Sequence, residues 1–450
     1  MPRTASAARF PHAIPPVVGD GAHGRVCHDR PVLLSSPVAE RTRPRLRAFR
    51  VLAAAVVVLS LLAGARVAWV ATVPTGDGVR AEQLRFLESA LAGGAGADMQ
   101  ELFPEGYFFT HVLTGLAAAQ PAAPGDAAAL RVARASLAAL GSPAGRAPFP
   151  AAATPAHGVF WAGWSLALAV EVARLSGRPD DRSDVARRAT KIAAALAADA
   201  DGFLESYPGQ VWPCDTVVAV AALARAQALV PQPAVGELVA GWTVRAAAVR
   251  DPAAGLLPHR LAADGSVREA PRASSQALML AFLPDIDPGA AAADYRRFVD
   301  TFVVRELGLV GVREYPVGTD GEGDVDSGPL VAGVSLSASA VASAAARRHG
   351  DTDLAGALDA QAELVALPVP WFDGRRYGFG LLPVADAFLV WARAQPPAPA
   401  GTGPTGVPGW LWPLWLVAAL VPAALLLAVR PTRTLLLAGR CSGRDRGPRR

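Results

Sequence analysis

A chain of 450 residues that is 52% apolar, with positive mean hydropathy, can bury a large core and is more apolar than a typical soluble protein. Its pI near 9.3 and net charge of +4 come from the two ends: residues 1–50 and 430–450 each carry +6 and Arg66 adds one, which leaves −9 for residues 74–408. So acidic a centre argues against a nucleic-acid partner, and the Arg-rich tails suit anionic lipid.

In chain order, a basic tail over 1–50 precedes an apolar stretch over 51–73, close to the roughly 20 residues that cross a bilayer. Arg66 interrupts that stretch and is expected to snorkel toward the outer headgroups. The rival reading is a signal peptide cleaved at Ala63-Gly64-Ala65. Apolar periodicity, breakers and caps then predict helices over 77–93, 107–119, 126–140, 158–177, 183–200, 215–230, 235–250, 273–284, 289–306, 327–349, 351–365 and 381–395. Connections after the odd helices are long (94–106, 141–157, 201–214, 251–272, 307–326 and 366–380), and those after the even ones are clipped, as at 176–179, 230–233 and 349–351. Short links force neighbouring helices antiparallel, so the long connections share one end of the helical layer. The expected fold is all-α: six helical hairpins over 77–395 closing into an (α/α)6 toroid with a funnel at that end. A Pro, Gly and Thr linker follows at 396–408, then a second span over 409–429 with Trp410, Trp412 and Trp415 as an interfacial belt, then a basic tail over 430–450.

The Arg excess at both ends predicts a two-span protein of the cell membrane with both termini in the cytoplasm and the toroid outside. That topology separates Cys27 and Cys441 from Cys214, so no internal disulfide is expected in the outer domain. A single lysine, Lys191, against forty-two Arg fits a GC-rich bacterial genome. No phosphate-binding glycine loop and no His-x-x-x-His or Cys-x-x-Cys pattern occurs, so neither cofactor nor metal is expected.

Candidate chemistry gathers on the long connections. Tyr107, Tyr207, Tyr315 and Tyr377, with Trp212 and Trp371, lie there or at their edges, and Trp161 and Trp164 stand on the helix leaving the second. An aromatic funnel suits sugar rings, isoprenoid chains or a developing carbocation; the alternative is that these rings cap the helical core. The loop Glu205-Ser-Tyr-Pro-Gly-Gln-Val-Trp-Pro-Cys-Asp215 leads into an apolar helix. Asp215 either caps that helix or forms a reactive pair with Cys214, whose thiolate the helix dipole would favour. The densest acidic run, Asp320-Gly-Glu322-Gly-Asp324-Val-Asp326-Ser-Gly-Pro, crowds carboxylates that raise one another's pKa, or else is a solvated loop whose Asp326 or Ser327 caps the next helix. It departs from a calcium loop at Val325 and Val331. His111, His157, His259 and Arg272-Ala-Ser274-Ser275 are lesser candidates, His111 and Arg272 for substrate binding.

The segments 207–215, Phe103-Pro-Glu-Gly-Tyr107 and Gly323-Asp-Val-Asp-Ser-Gly328 resemble linalool dehydratase/isomerase-like domains over roughly residues 80–395. The resemblance implies an (α/α) toroid acting outside the cytoplasm on isoprenoid alcohols by acid–base chemistry. Cys214 falls where that family's second active-site cysteine would lie, while Glu205 or Ser206 stands in place of the first. Three functions follow as expectations. One is a lyase or isomerase of an isoprenoid-type alcohol, with Asp215 or the 322–326 cluster (Glu322, Asp324, Asp326) as acid and Tyr207, Cys214 and Tyr315 assisting. In it, Tyr107, His111, Trp161, Trp164, Trp212, Arg272 and Trp371 would hold the substrate. The others are a cell-envelope glycan hydrolase or lyase, and a non-catalytic lipid- or glycan-binding protein.

Overall fold

The computed structural model describes residues 38–72, 76–371, 374–397, 403 and 411–428. Residues 1–37 of the predicted tail 1–50, the predicted tail 430–450 and most of the linker at 396–408 lie outside the described residues, while residues 38–50 of the first tail are helical. The chain divides into two compact units after Ala55. Helix α1 (Val38–Thr72) begins in the first and ends in the second.

The chain is mostly helical. Its first half runs α2 (Asp77–Ala92), α3 (Ala95–Leu102), α4 (Gly106–Ala119), α5 (Ala127–Leu140), the single turn α6 (Pro143–Arg146), α7 (Gly158–Ser176), α8 (Pro179–Ala198), α9 (Pro213–Leu229) and α10 (Pro233–Ala247). The second half runs β1 (Arg260–Leu261), β2 (Val267–Glu269), α11 (Ala273–Phe282), α12 (Pro288–Phe302), β3 (Val303–Glu306), β4 (Leu309–Val312), β5 (Leu330–Val331) and β6 (Val334–Ser335). It closes with α13 (Leu336–Arg348), α14 (Thr352–Val365), β7 (Val369–Trp371), β8 (Gly374–Arg376), α15 (Pro383–Arg393) and α16 (Trp412–Ala428).

Each helix predicted between 77 and 395 has a counterpart, and local chemistry explains most of their starts. Asp126, Asp287, Ser335 and Asp351 accept backbone N–H bonds as N-caps, each contributing about 1 kcal/mol. Pro occupies the first position of α8, α9, α10, α12 and α15, where its missing N–H costs nothing. Three expectations need correction. The connection 94–106 contains α3, because left-handed Gly94 (φ 98°) ends α2 and lets a new helix begin. The helix expected over 327–349 begins only at Leu336, since Ala332 and Gly333 (φ 51° and 77°) turn the chain into the β5–β6 hairpin. The fold is not purely α: four two-stranded antiparallel hairpins, β1–β2, β3–β4, β5–β6 and β7–β8, sit on the long connections.

Packing follows the pattern of buried faces. Helices α4, α7, α9, α11, α13 and α15 bury most of their residues, whereas α5, α8, α10, α12 and α14 are polar on one side. Among the buried set α4 packs on α7, α7 on α9, α9 on α11, α11 on α13, α13 on α15, and α15 on α4. The amphipathic helices lie against this circuit, α5 on α4 and α7, α8 on α7 and α9, α14 on α13, and α2 on α15 and α4. Small residues set the closest approaches: a Cβ on Gly163 would stand 2.9 Å from the Ala219 backbone. Phe109, Trp164, Phe282 and Trp391 meet within the circuit, with Trp164 edge-on to Phe282 at 5.3 Å and Phe282 stacked on Trp391 at 5.9 Å.

Among the described residues two helices are long and apolar enough to cross a membrane, the 47–72 part of α1 and α7. The α7 helix is 89% buried inside the fold and serves as a core helix. The described part of the second predicted span is the 17-residue α16. Gly64 of α1 packs against Leu416 and Leu420 of α16. The Arg66 guanidinium donates to the backbone carbonyl of Glu363, at the end of α14.

Candidate active site

The turn before α9 folds on itself through the Tyr207–Gln210 bridge, with Gly209 supplying a left-handed residue (φ 70°), and Val211 bridges to Leu261 of β1. Because α9 starts at Pro213, Asp215 lies inside the first turn and cannot cap the helix, against one sequence expectation. Its buried carboxyl accepts a hydrogen bond from the Ser206 hydroxyl instead. Burial pushes Asp215 up to about 7 against the opposing bond from Ser206, and the nearby carboxylates of Asp326 and Glu105 add to the rise. Cys214 Sγ lies 3.9 Å from Asp215 Oδ1. Burial, then Asp215 and Asp326, push this thiol well above its ordinary range. At position 214 the loss of solvation opposes the thiolate that the helix dipole would favour.

The Tyr207 hydroxyl donates to the carboxylate of Glu105, at the N-terminus of α4. Burial and this partner raise the phenol above its ordinary range. Its ring stacks on Phe149 (5.9 Å, 20°) and meets Trp212 edge-on at 6.0 Å, and Phe149 continues onto Phe160 at 5.2 Å. Beside the acids of the α9 turn there is thus an aromatic wall.

The acidic loop supplies the opposite group. Asp324 Oδ1 accepts the backbone N–H groups of Asp326 and Ser327, and Oδ2 pairs with Arg272 at 2.6 Å. Burial raises the Asp324 carboxyl, but Arg272 and the Ser327 N–H prevail and hold it at about 2. Asp324 is therefore a fixed anion and not the acid that its acidic neighbours suggest. Arg272 is itself buried and also binds the fully buried Glu314 at 2.8 Å, which accepts from Ser274 Oγ at 2.7 Å. The ring of Tyr315 lies under Arg272 (5.4 Å) and its hydroxyl donates to the Glu322 carbonyl, fastening the loop. The Glu322 side chain is exposed, and only its backbone joins the site. Asp326 is different. Partial desolvation by the surrounding protein, then Asp324, push its carboxyl up to about 6 against the pull of Arg272, although the side chain still reaches solvent. Its oxygen stands 4.0 Å from His259 Nε2, with a side chain 57% exposed. His259 bonds Ser275 Oγ through Nδ1 at 3.0 Å and is pushed down to about 4 by burial and then by Arg272, so it is neutral at physiological pH. Ser274 and Ser275 are occupied in these contacts and do not cap α11.

The remaining predicted residues separate. Tyr107 and His111 pair at 4.5 Å, half-buried, and burial pushes His111 down to about 4. The Trp161 indole donates to the Leu140 carbonyl at 3.1 Å, tying α7 to the end of α5. Trp164, expected among the substrate-binding rings, is fully buried between helices, so it serves the core. Trp371 lies in β7, and its side chain is outside the described residues. A cavity of about 640 Å³ beside β1–β2 is lined by Gly209, Arg260, Asp264, Arg268 and Glu269, and touches the cluster through Glu269, 3.9 Å from His259.

Glu105 and Glu314 are site residues that sequence reasoning did not single out, and Ser206 entered it only as a replacement for a cysteine. Pro-Glu-Gly ahead of an aromatic helix was the available signal for Glu105, whereas nothing local marks Glu314. No group of three or more potential metal ligands occurs among the described residues. No protein-family model matches the chain, and no match is found among curated proteins.

Proposed function

We propose that this is a membrane-anchored enzyme whose (α/α)6 toroid, outside the cytoplasm, carries out lyase or isomerase chemistry on an isoprenoid-type alcohol, as the likeness to linalool dehydratase/isomerase-like domains implies. The toroid reading is supported by the circuit from α4 through α7, α9, α11, α13 and α15 back to α4. Glu105, Asp215 and Arg272 stand at the N-termini of three of those helices. The anchoring and its two-span topology are supported by the apolar α1, its contact with α16, and the basic tails.

The observation that carries the chemistry is Asp215, a buried carboxyl raised to about 7, held by Ser206 beside an aromatic wall. Protonated below that pH, Asp215 gives its proton to the substrate hydroxyl. The C–O bond then breaks, water departs, and the developing allylic cation is stabilised by the aromatic wall around Tyr207. Asp326, ionised above about 6, takes a proton from the adjacent carbon and the C–H electron pair becomes the new double bond. Arg272 holds the Asp326 loop through Asp324, and Glu105 orients Tyr207. The full-length protein in nanodiscs, given a prenyl alcohol in ¹⁸O-water, should form an alkene and exchange label into recovered alcohol. Neither product nor label would overturn the reading.

The raised carboxyls of Asp215 and Asp326 also suit a glycan hydrolase or lyase, with one as acid and the other as base or nucleophile. Release of sugars from cell-envelope glycan by the same preparation, with no change to the alcohol, would favour that second reading.

A further inference from the structure

Among the described residues five non-glycine residues adopt left-handed backbone, and three of them, Leu307, Leu367 and Phe379, present large apolar side chains to the outside (81%, 49% and 65% exposed). Such a conformation costs about 1–2 kcal/mol per residue, and exposing the side chain adds to the cost in water. Leu381 and Leu382 continue the exposed run before α15.

These loops gather around the last turn of α14. The Gln361 side chain accepts the Val310 N–H of β4, the Glu363 carbonyl takes Arg66 of α1, and the Ala366 carbonyl accepts the Gly378 N–H at 2.7 Å. The tip of β3–β4 is also fixed to α16: Trp415 Nε1 donates to the Leu307 carbonyl at 3.0 Å, and the Leu411 N–H to the Gly308 carbonyl at 2.7 Å. Trp415 is five residues, roughly 7.5 Å of helix, from Leu420, where Gly64 packs. Leu307 therefore sits near the level at which the two apolar helices leave lipid, with a tryptophan of the interfacial type beside it.

We infer that Leu307, Leu367, Phe379, Leu381 and Leu382 form a rim that inserts into the lipid leaflet on the domain's side, so the cleft receives its substrate from the bilayer. This deepens the proposed function and rests on it for the ligand's nature: a hydroxyl-bearing isoprenoid long enough to partition into lipid. The membrane contact itself does not depend on that reading. Water-exposed apolar side chains in strained backbone are explained once lipid is their solvent, and the contacts with α1 and α16 make the bilayer continuous with the rim.

The test is photo-crosslinking of the full chain in nanodiscs of phosphatidylethanolamine and phosphatidylglycerol, doped with a phospholipid carrying a diazirine in its upper acyl chain. Adducts mapped by mass spectrometry should appear on the peptides holding Leu307 and 379–382 as well as on α1 and α16. Leu307→Asp with Phe379→Asp, both at exposed positions, should cut the rim adducts by roughly tenfold and leave those of the helices unchanged. Adducts confined to 47–72 and 412–428, or rim adducts indifferent to the two substitutions, would overturn the inference. If the catalytic reading alone is wrong, rim adducts persist without turnover of any prenyl alcohol; if this inference alone is wrong, turnover persists without rim adducts.

Discussion

At Asp215 two effects oppose one another. A helix N-terminus stabilises a carboxylate by about 0.3–1 kcal/mol, and up to about 2 in favourable partly buried sites. The rise from 3.8 to about 7 corresponds to roughly 4 kcal/mol in favour of the neutral form, so loss of solvation decides the state. Because the folded chain holds this proton more tightly than the unfolded one, Asp215 weakens folding progressively as pH rises from about 4 to about 7, and the penalty is constant above that. Asp215→Asn keeps an acceptor for Ser206 without the charge. Its stability relative to the parent, from unfolding curves across pH 4 to 8, is expected to climb with pH by up to about 4 kcal/mol and then level off. A difference independent of pH would mean that Asp215 is solvated. Position 215 was legible because it closes the short polar and aromatic segment that holds Tyr207, Trp212 and Cys214. Its state was not, since Glu105 lies more than a hundred residues upstream and Asp326 more than a hundred downstream.

At the scale of elements, helix existence was plain in the sequence and the strands were not. Ala-rich stretches with Pro or Asp at their heads announce α8, α9 and α12. Strands of two to four residues, such as β1, β5 and β6, are too short to show alternation, and their pairing depends on tertiary contacts such as Val211 with Leu261. Likewise Trp164 reads as a funnel aromatic from its place near a helix start, yet its side chain points among α4, α11 and α15. Glycines separate the inner contacts from the surface. Gly163→Ala puts a methyl 2.9 Å from the Ala219 backbone and is expected to destabilise by about 1–3 kcal/mol, because neither α7 nor α9 can yield alone. Gly241→Ala on α10 meets nothing within 4 Å and is expected to stabilise by about 0.5–1 kcal/mol. Denaturation midpoints of the two variants, measured side by side, check the sign of each.

For the whole molecule, partitioning the charge mattered more than its total: a pI of 9.3 conceals an acidic central region between basic ends. The proposed likeness to a family of toroidal lyases rests on three short segments. They converge in part: Glu105 from the first meets Tyr207 from the second, and Asp326 from the third acts on both Asp215 and Cys214. In the proposed function this convergence is an acid–base site, with Asp215 as the acid and Asp326 as the base. The most direct test is turnover of a prenyl alcohol by the nanodisc-embedded protein from pH 5 to 8, beside Asp215→Asn. The account predicts a bell-shaped profile, rising through about 6 and falling through about 7, and a loss of at least about a hundredfold in the variant. A parent profile flat across that range, with Asp215→Asn as active as the parent, would contradict it.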